Sequence, residues 1–243
     1  MLESIIPKNL AMRDPLFYRI TDYDRSLLPN EHLRTLEANA VDRPKWEETT
    51  GKSIGYPAWG ILYYAAICRC KPDAYNLFIE TGTNIGSSSI ILAQAIKDSA
   101  GSGELRTVEL QPENSAKARD NVTKAGLSEL VRFYEGDAIE QLPEMLTAGS
   151  KVAMAFLDGG HLYQQVIREF ELVEPHLDDD SVVIFDNTYL IAEPKEDQLV
   201  NGALREIKSR FGGNLINLPY CSWYTPGMAL WQRQPFADMT PPA

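Results

Sequence analysis

The stretch that decides the fold runs from Asn76 to Ser88 and reads Asn-Leu-Phe-Ile-Glu-Thr-Gly-Thr-Asn-Ile-Gly-Ser-Ser. Residues 76–80 form a short apolar run between turn residues, and its length predicts a buried strand. Gly82 and Gly86 allow a tight turn and a close backbone approach, and the helix predicted to start behind them offers free amides. The segment therefore predicts a strand, a turn that can bind a ligand, and a helix.

Strand and helix patterns alternate along the rest of the chain. Apolar runs predict strands at 105–110, 131–135, 153–158 and 181–186, followed by a terminal strand pair at 215–218 and 228–231. Helices are predicted over 58–70, 87–99, 113–125 and 202–211, with another directly after the 153–158 strand, and residues 100–103 are expected to form a lengthened loop. This alternation indicates an α/β class protein: a doubly wound, mostly parallel sheet with an antiparallel C-terminal strand and helices on both faces.

The first 55 residues differ from the rest because they are polar and charged, with scattered apolar positions. They predict an N-terminal helical arm or lid (1–55) ahead of a single ligand-binding domain (56–243). No stretch approaches the ~18 apolar residues that span a bilayer, and no secretory signal is visible. We therefore expect a cytoplasmic protein.

The formal net charge is −11, from 23 basic and 34 acidic residues. An acidic balance of that size disfavours nucleic acid and anionic membrane surfaces as partners. The three cysteines are an odd number without a disulfide framework, and Cys68 and Cys70 are expected to be buried thiols.

Charged residues end the predicted strands again and again. In open parallel sheets the ligand crevice lies beyond the carboxyl ends of the strands, so one edge of the sheet collects these side chains. The strand ends carry Glu80, Glu109, the segment Glu135-Gly136-Asp137, Asp158 and Asp186. Five such endings on one edge indicate a functional site.

The turn after the first strand narrows the choice of cofactor. It lacks both the G-x-G-x-x-G fingerprint and a Walker lysine, which weighs against NAD and ATP. Glu109 ends the second strand, where an acidic residue accepts the ribose hydroxyl hydrogens in dinucleotide folds. Gly136-Asp137-Ala138, after the third strand, suits a contact to the edge of an adenine ring.

The ordered succession of these motifs resembles the class I S-adenosylmethionine-dependent methyltransferases, which have a Rossmann-like sheet. Within that class it resembles the catechol O-methyltransferase-like group and its bacterial relatives that methylate natural products and sugars. The matching motifs are Glu80–Gly86, Glu109, Gly136-Asp137, Phe156-Leu157-Asp158-Gly159-Gly160-His161 and Phe185-Asp186-Asn187. They lie between about Asn76 and Tyr189.

The resemblance implies a site with a cofactor half and a metal half. The negative charge of Glu80 would attract the cationic methionine group of S-adenosylmethionine. The predicted cofactor-binding residues are Glu80, Gly82, Thr83, Asn84, Gly86, Ser87, Ser88, Glu109, Leu110, Gly136, Asp137, Ala138, Asp158 and Gly159. Asp158, Asp186 and Asn187 are the implied ligands of Mg²⁺ or another divalent cation, and an all-oxygen set suits a hard cation.

Asp158 and His161 are the predicted catalytic residues. The catechol enzymes place a lysine where this chain has His161, and histidine suits proton transfer near neutral pH. In the alternative interpretation His161 caps the following helix or holds a carboxylate structurally.

The implied function is transfer of a methyl group to one hydroxyl of a small diol, phenolic or sugar. The alternatives are a metal-independent methyltransferase, in which Asp158 and Asp186 only position the substrate, a catalytically silent cofactor-binding partner subunit, and more distantly an NAD-dependent oxidoreductase. The partners expected are a small hydroxyl acceptor and further copies of the chain, in a dimer or larger. Candidate acceptor contacts are Tyr56, Trp59, Tyr189, Glu193, Glu196, Trp223 and Tyr224.

Overall fold

The structure is a computed structural model that describes residues 58–71, 73–99, 101–188, 196–219 and 227–233. The predicted arm over residues 1–55 lies outside these residues. The helices are α1 (Ala58–Arg69), α2 (Ser87–Asp98), α3 (Pro112–Lys124), α4 (Ala138–Met145), α5 (Tyr163–Val173) and α6 (Val200–Phe211). The strands are β1 (Tyr75–Thr81), β2 (Ser102–Glu109), β3 (Val131–Glu135), β4 (Val152–Leu157), β5 (Leu177–Asp186), β6 (Asn214–Pro219) and β7 (Gly227–Gln232). None of the helices in the described ranges is long and apolar enough to cross a bilayer.

The seven strands form one sheet in the order β3-β2-β1-β4-β5-β7-β6. Strands β1 to β5 pair in parallel, and β7 pairs antiparallel with both β5 and β6. The order reverses between β1 and β4, so the crevice of a doubly wound sheet is expected beyond these two strands. The predicted fold class, including the antiparallel C-terminal strand, is confirmed.

Alternate residues of the central strands supply two apolar layers because side chains point to opposite faces of a sheet. Leu77 and Ile79 of β1 pack in one core with α4, α5 and α6. Phe78, between them, packs in a second core with α1 and α2. A small third cluster joins α2 to the end of α3 and the turn after it. The helices thus cover both faces, as predicted.

Several predicted boundaries were wrong. β2 begins at Ser102, inside the predicted 100–103 loop, because the Asn76 side chain donates to the Ser102 carbonyl (3.0 Å) and extends the pairing with β1. Helix α4 was not predicted; Asp137 caps it by accepting from the Ile139 amide (2.8 Å). The cysteine prediction was also wrong, since Cys68 is exposed and Cys70 is only partly buried.

Candidate active site

The turn after β1 is held by its own backbone against β2. The amides of Gly82 and Thr83 both donate to the Val108 carbonyl, at 3.0 and 3.2 Å. Gly82 has φ +81, and a Cβ placed on it would stand 2.6 Å from the carbonyl carbon of Asp158. Glycine at this position therefore lets the first turn lie directly against the chain leaving β4.

Glu109 connects this turn to the end of β2. One carboxylate oxygen accepts from the Asn84 amide (2.6 Å) and the other from the Gln111 amide (2.9 Å). Asn84 has φ 48, in the left-handed region. Each oxygen keeps a second lone pair, so the carboxylate can still accept hydrogens from the two hydroxyls of a ribose.

A pocket of roughly 340 Å³, counted out to its open mouth, lies at this edge of the sheet. It is lined by Gly82, Val108, Glu109, Leu110, Gly136, Asp137, Ala138, Gly159 and Gln165. The ends of β1, β2, β3 and β4 thus meet at one cavity, as their parallel topology requires. Val108 and Gln165 were not predicted. The other predicted cofactor residues do not line the pocket: Glu80, Thr83, Asn84, Gly86, Ser87, Ser88 and Asp158.

Glu80 lies beneath the turn and is fully buried. One carboxylate oxygen accepts hydrogen bonds from the hydroxyls of Ser89 and Thr107, while Oε1 has no partner among the described residues. Burial raises the pKa of this carboxyl, and the serine and threonine hydrogen bonds oppose that rise. Glu80 is not among the residues that line the pocket, and its contact with the cofactor stays a prediction.

The predicted catalytic and metal residues come together at the ends of β4 and β5. His161 Nε2 lies 3.0 Å from Asp158 Oδ1, and Asn187 Nδ2 lies 2.8 and 2.9 Å from the two ring nitrogens. A neutral ring that donates from Nε2 to Asp158 and accepts at Nδ1 from Asn187 satisfies two of these three contacts, because the Asn187 NH₂ and a protonated Nε2 are both donors and do not hydrogen-bond to each other. Asn187 has φ 59, and backbone strain of this kind concentrates at functional sites.

Asp186 is 1% exposed, and neither of its carboxylate oxygens has a hydrogen-bond partner among the described residues. Burial raises its pKa well above the ordinary value, and repulsion from Asp158 raises it further. The pKa of Asp158 is also raised well above its ordinary value, mainly by burial. A buried carboxylate without a donor among the described residues, beside the partly exposed carboxylate of Asp158, forms a place where a cation would be stabilised.

The oxygen atoms that these residues offer are of the kind that binds a hard divalent cation. Asp158 and Asp186 offer carboxylate oxygens and Asn187 a carboxamide oxygen, the ligand types that Mg²⁺ takes, with water completing its shell. Within the described ranges no group of three or more His, Cys, Asp or Glu side chains is arranged to hold a metal. The candidate set has only two carboxylates, so its third protein ligand would be Asn187.

Most of the residues predicted to contact the methyl acceptor lie outside the described part of the chain. Trp59 is 7% exposed and packs in the apolar core beneath α1, so it does not offer a contact surface to an acceptor. The remaining acceptor candidates lie outside the described residues or have side chains that do: Tyr56, Tyr189, Glu193, Glu196, Trp223 and Tyr224.

Sequence reasoning also missed Thr81 and Glu169, which lie directly behind the site. Glu169 is a charged residue on the buried face of α5, three positions after Val166 and four before Val173. That helical phase was the available signal, because residues three and four apart share one face of a helix.

Comparison with known proteins agrees with this geometry. Residues 79–188, from β1 to just past Asn187, match the family model described as a methyltransferase domain. This part of the chain is similar to a methyltransferase domain. The matched range holds both the pocket and the Asp158–Asn187 cluster.

A curated relative of the methyltransferase domain is the catechol O-methyltransferase of Niastella koreensis. The two sequences are 35% identical over 95 residues, which is 39% of this chain. The match also spans only 39% of the length of that relative.

Solved structures share the fold over most of the chain. One is the O-methyltransferase TomG of Streptomyces achromogenes, which is involved in tomaymycin synthesis and was solved with S-adenosylmethionine. It superposes with a TM-score of 0.64 at 21% sequence identity, and the match covers 88% of this chain and 95% of TomG. The O-methyltransferase of Bacillus cereus, solved with S-adenosylhomocysteine, gives 0.63 at 17% identity, over 89% and 96%. At these identities the similarity establishes the fold.

Proposed function

We propose that this protein is an S-adenosylmethionine-dependent O-methyltransferase that requires Mg²⁺ or another divalent cation and methylates one hydroxyl of a small diol, phenolic or sugar. The observation that carries the proposal is the cluster at the ends of β4 and β5. There Asp158, His161 and Asn187 are in contact, and the buried carboxylate of Asp186 has no hydrogen-bond donor among the residues that the structure describes. The O-methyltransferases named above support oxygen as the acceptor atom.

The pocket residues would bind and orient the cofactor, which supplies a methyl group on a sulfonium. Glu109 would accept the ribose hydroxyls, and the Gly136–Ala138 turn would contact the adenine edge. Gly159 lines the same pocket one residue after Asp158, so the cofactor and the cation ligand would share one turn. Orientation of this kind is the main source of catalysis in a direct transfer.

Asp158, Asp186 and Asn187 would hold the cation, which lowers the pKa of a coordinated hydroxyl. His161 would then accept the hydroxyl proton. Burial lowers the pKa of His161, opposed by the charges of Asp186 and Glu169. A ring with a lowered pKa is neutral at pH 7, which is the state that can accept a proton.

Calorimetry and metal removal test the proposal. We expect S-adenosylhomocysteine to bind the purified protein, and turnover on a panel of catechols and sugar diols to disappear after dialysis against a chelator and return with Mg²⁺. Absence of cofactor binding would reject both methyltransferase hypotheses. Turnover that is unchanged by chelation would favour the metal-independent alternative, in which Asp158 and Asp186 only position the substrate.

Replacing His161 with alanine is expected to slow turnover by roughly 100-fold at pH 7 and by less than about tenfold at pH 9. At pH 7 the substrate hydroxyl needs a proton acceptor, whereas at pH 9 it ionises more readily without one. The pH profile of kcat for both proteins measures the difference, with His176→Ala as a control at a histidine remote from the cluster. An equal loss at both pH values would support a structural role for His161.

A silent partner subunit is the second alternative. It predicts cofactor binding without turnover on any diol, and it gives no reason for a buried Asp186 carboxylate that has no hydrogen-bond partner in the described ranges. A cytoplasmic location, a homodimer or larger assembly, and the absence of nucleic-acid and membrane partners remain predictions from the sequence. Sedimentation of the purified protein would measure its assembly.

A further inference from the structure

Glu169 is a carboxylate that the proposed chemistry does not use. It lies on the buried face of α5 beside Phe170 and is 1% exposed. Burying a carboxylate is costly unless hydrogen bonds or charges compensate for the lost water. Among the described residues, Glu169 accepts a hydrogen bond from a residue at the end of β1, beside the active site.

That hydrogen bond comes from the last residue of β1. Thr81 Oγ1 donates to Glu169 Oε2 at 2.6 Å. The same hydroxyl oxygen accepts from the backbone amides of Asp158 (3.2 Å) and Gly159 (3.1 Å). A hydroxyl has one hydrogen and two lone pairs, so Glu169 takes the hydrogen and leaves both lone pairs to these amides. The Asp158 amide also donates to the Thr81 backbone carbonyl (3.1 Å), so the Gly159 amide is the one whose protection depends on the Thr81 hydroxyl.

The second oxygen of Glu169 is packed against the same turn. Oε1 has no hydrogen-bond partner among the described residues. A Cβ built on Gly159 would stand 2.8 Å from it, so this oxygen lies directly behind the Gly159 backbone. Gly159 lines the cofactor pocket on its other side. The carboxylate therefore contacts the turn both through Thr81 and by direct packing.

We propose that Glu169 is a positioning residue of the active site, which acts through the Thr81 hydroxyl to fix the Asp158–Gly159 turn. That turn carries a proposed cation ligand and a wall of the proposed cofactor pocket, so the catalytic consequence rests on the proposed function. The role of Glu169 in fixing the turn does not depend on the proposed function. Groups that orient the residues around a site typically change affinity or activity by about 10- to 100-fold when removed.

Amide hydrogen exchange by NMR tests the fixing of the turn without cofactor, metal or substrate. In Glu169→Leu we expect the Gly159 amide to exchange about tenfold faster than in the unmodified protein, whereas the Asp158 amide keeps its bond to the Thr81 carbonyl. Glu169→Gln keeps an acceptor for Thr81 and should stay within a few fold. Glu171→Gln is the matched control, because Glu171 lies on the same helix but pairs with Arg168 and Arg210 at the surface.

Thr81 gives a second pair of variants in case Glu169→Leu does not fold. Thr81→Val has nearly the same shape but no hydroxyl, and should release the Gly159 amide, while the Asp158 amide keeps the Thr81 carbonyl as its acceptor. Thr81→Ser should restore the protection of the Gly159 amide. We expect S-adenosylhomocysteine and Mn²⁺ to bind about tenfold more weakly to Glu169→Leu and Thr81→Val, and with nearly normal affinity to Glu169→Gln and Thr81→Ser. An equal exchange rate at Gly159 in Thr81→Val and the unmodified protein would overturn the proposal, whatever the protein binds.

If exchange at the turn accelerates while the unmodified protein binds neither cofactor nor Mn²⁺, the positioning role stands and the proposed function fails. If the protein binds both ligands but the Thr81 and Glu169 variants bind them equally well, the turn is not coupled to the site, and the positioning proposal fails alone.

Discussion

Asp186→Ala is expected to abolish turnover, lowering kcat by roughly 1,000-fold or more, while S-adenosylhomocysteine affinity stays within a few fold. A bound cation contributes several kcal/mol of charge stabilisation, and each 1.36 kcal/mol corresponds to a tenfold change in rate. Neither oxygen of Asp186 has a donor within the described part of the chain, and in the proposed function a cation would compensate for the burial of this carboxylate. The residue does not line the cofactor pocket, which is why cofactor binding should survive.

Steady-state kinetics and calorimetry on the same preparations measure these two effects. Asp186→Asn adds a variant of nearly equal volume, and Asp178→Asn is the control, because Asp178 lies on the same strand at the surface opposite Lys151. A large loss of cofactor affinity in both Asp186 variants would place the residue in the cofactor site or the folding core. Full turnover in both Asp186→Ala and Asp186→Asn would reject a cation ligand at this position.

Gly82→Ala is expected to destabilise the fold by several kcal/mol and to remove cofactor binding. Two costs add at this position. A residue with a Cβ is strained at φ +81, by roughly 1–2 kcal/mol, and the new methyl would stand 2.6 Å from the carbonyl carbon of Asp158. Relief of that contact requires the first turn and the β4 turn to separate, and both turns line the pocket.

Gly126→Ala is the matched control for the backbone cost. Gly126 also has positive φ, at +70, but a Cβ there would meet nothing within 4 Å. The difference between the two variants in the free energy of unfolding, measured by denaturant titration, therefore isolates the collision with Asp158. A Gly82→Ala protein as stable as Gly126→Ala, with unchanged cofactor affinity, would show that the two turns need not be in contact.

The sheet and its functional edge could be predicted from the sequence because they depend on local features. Short apolar runs mark strands, and the carboxyl ends of parallel strands must share an edge. The predicted endings at Glu109, Glu135 and Asp186 are the last residues of their strands, and Asp158 follows β4 directly. The same rule explains why Asp158, His161 and Asn187, which follow β4 and β5, lie close together at that edge.

The surroundings of Glu80 are less evident from the sequence, because a strand end does not by itself decide which face its side chain takes. Glu80 shares a face with Phe78, and that face is covered by α2. The carboxylate accepts hydrogen bonds from Ser89 of α2 and Thr107 of β2. Alternation along the strand indicates the face, whereas the contact of Glu80 with the cofactor remains a prediction.

Glu169 could not be predicted as part of the site because its partner is far away in the sequence. Thr81 stands 88 positions earlier, and their contact exists only after α5 has packed on the sheet. A glutamate in a helix is usually solvated. Only its phase relative to Val166 and Val173 marks this one as buried, and phase alone does not identify a partner.

The position of β7 in the sheet affects the order in which the site can be assembled during synthesis. β5 pairs with β4 on one side and with β7 on the other, and Asp186 is opposite Met228, a residue 42 positions later (228 − 186). Until that late segment inserts, β5 is an open edge strand, and Asp186 faces water at a growing sheet. β6 leaves the ribosome before β7 and has no pairing with β5 through which it could cover that edge. The strands β1 to β4, which carry the pocket, can thus pair early, whereas the environment that makes Asp186 a buried carboxylate is completed only by the last strand of the sheet.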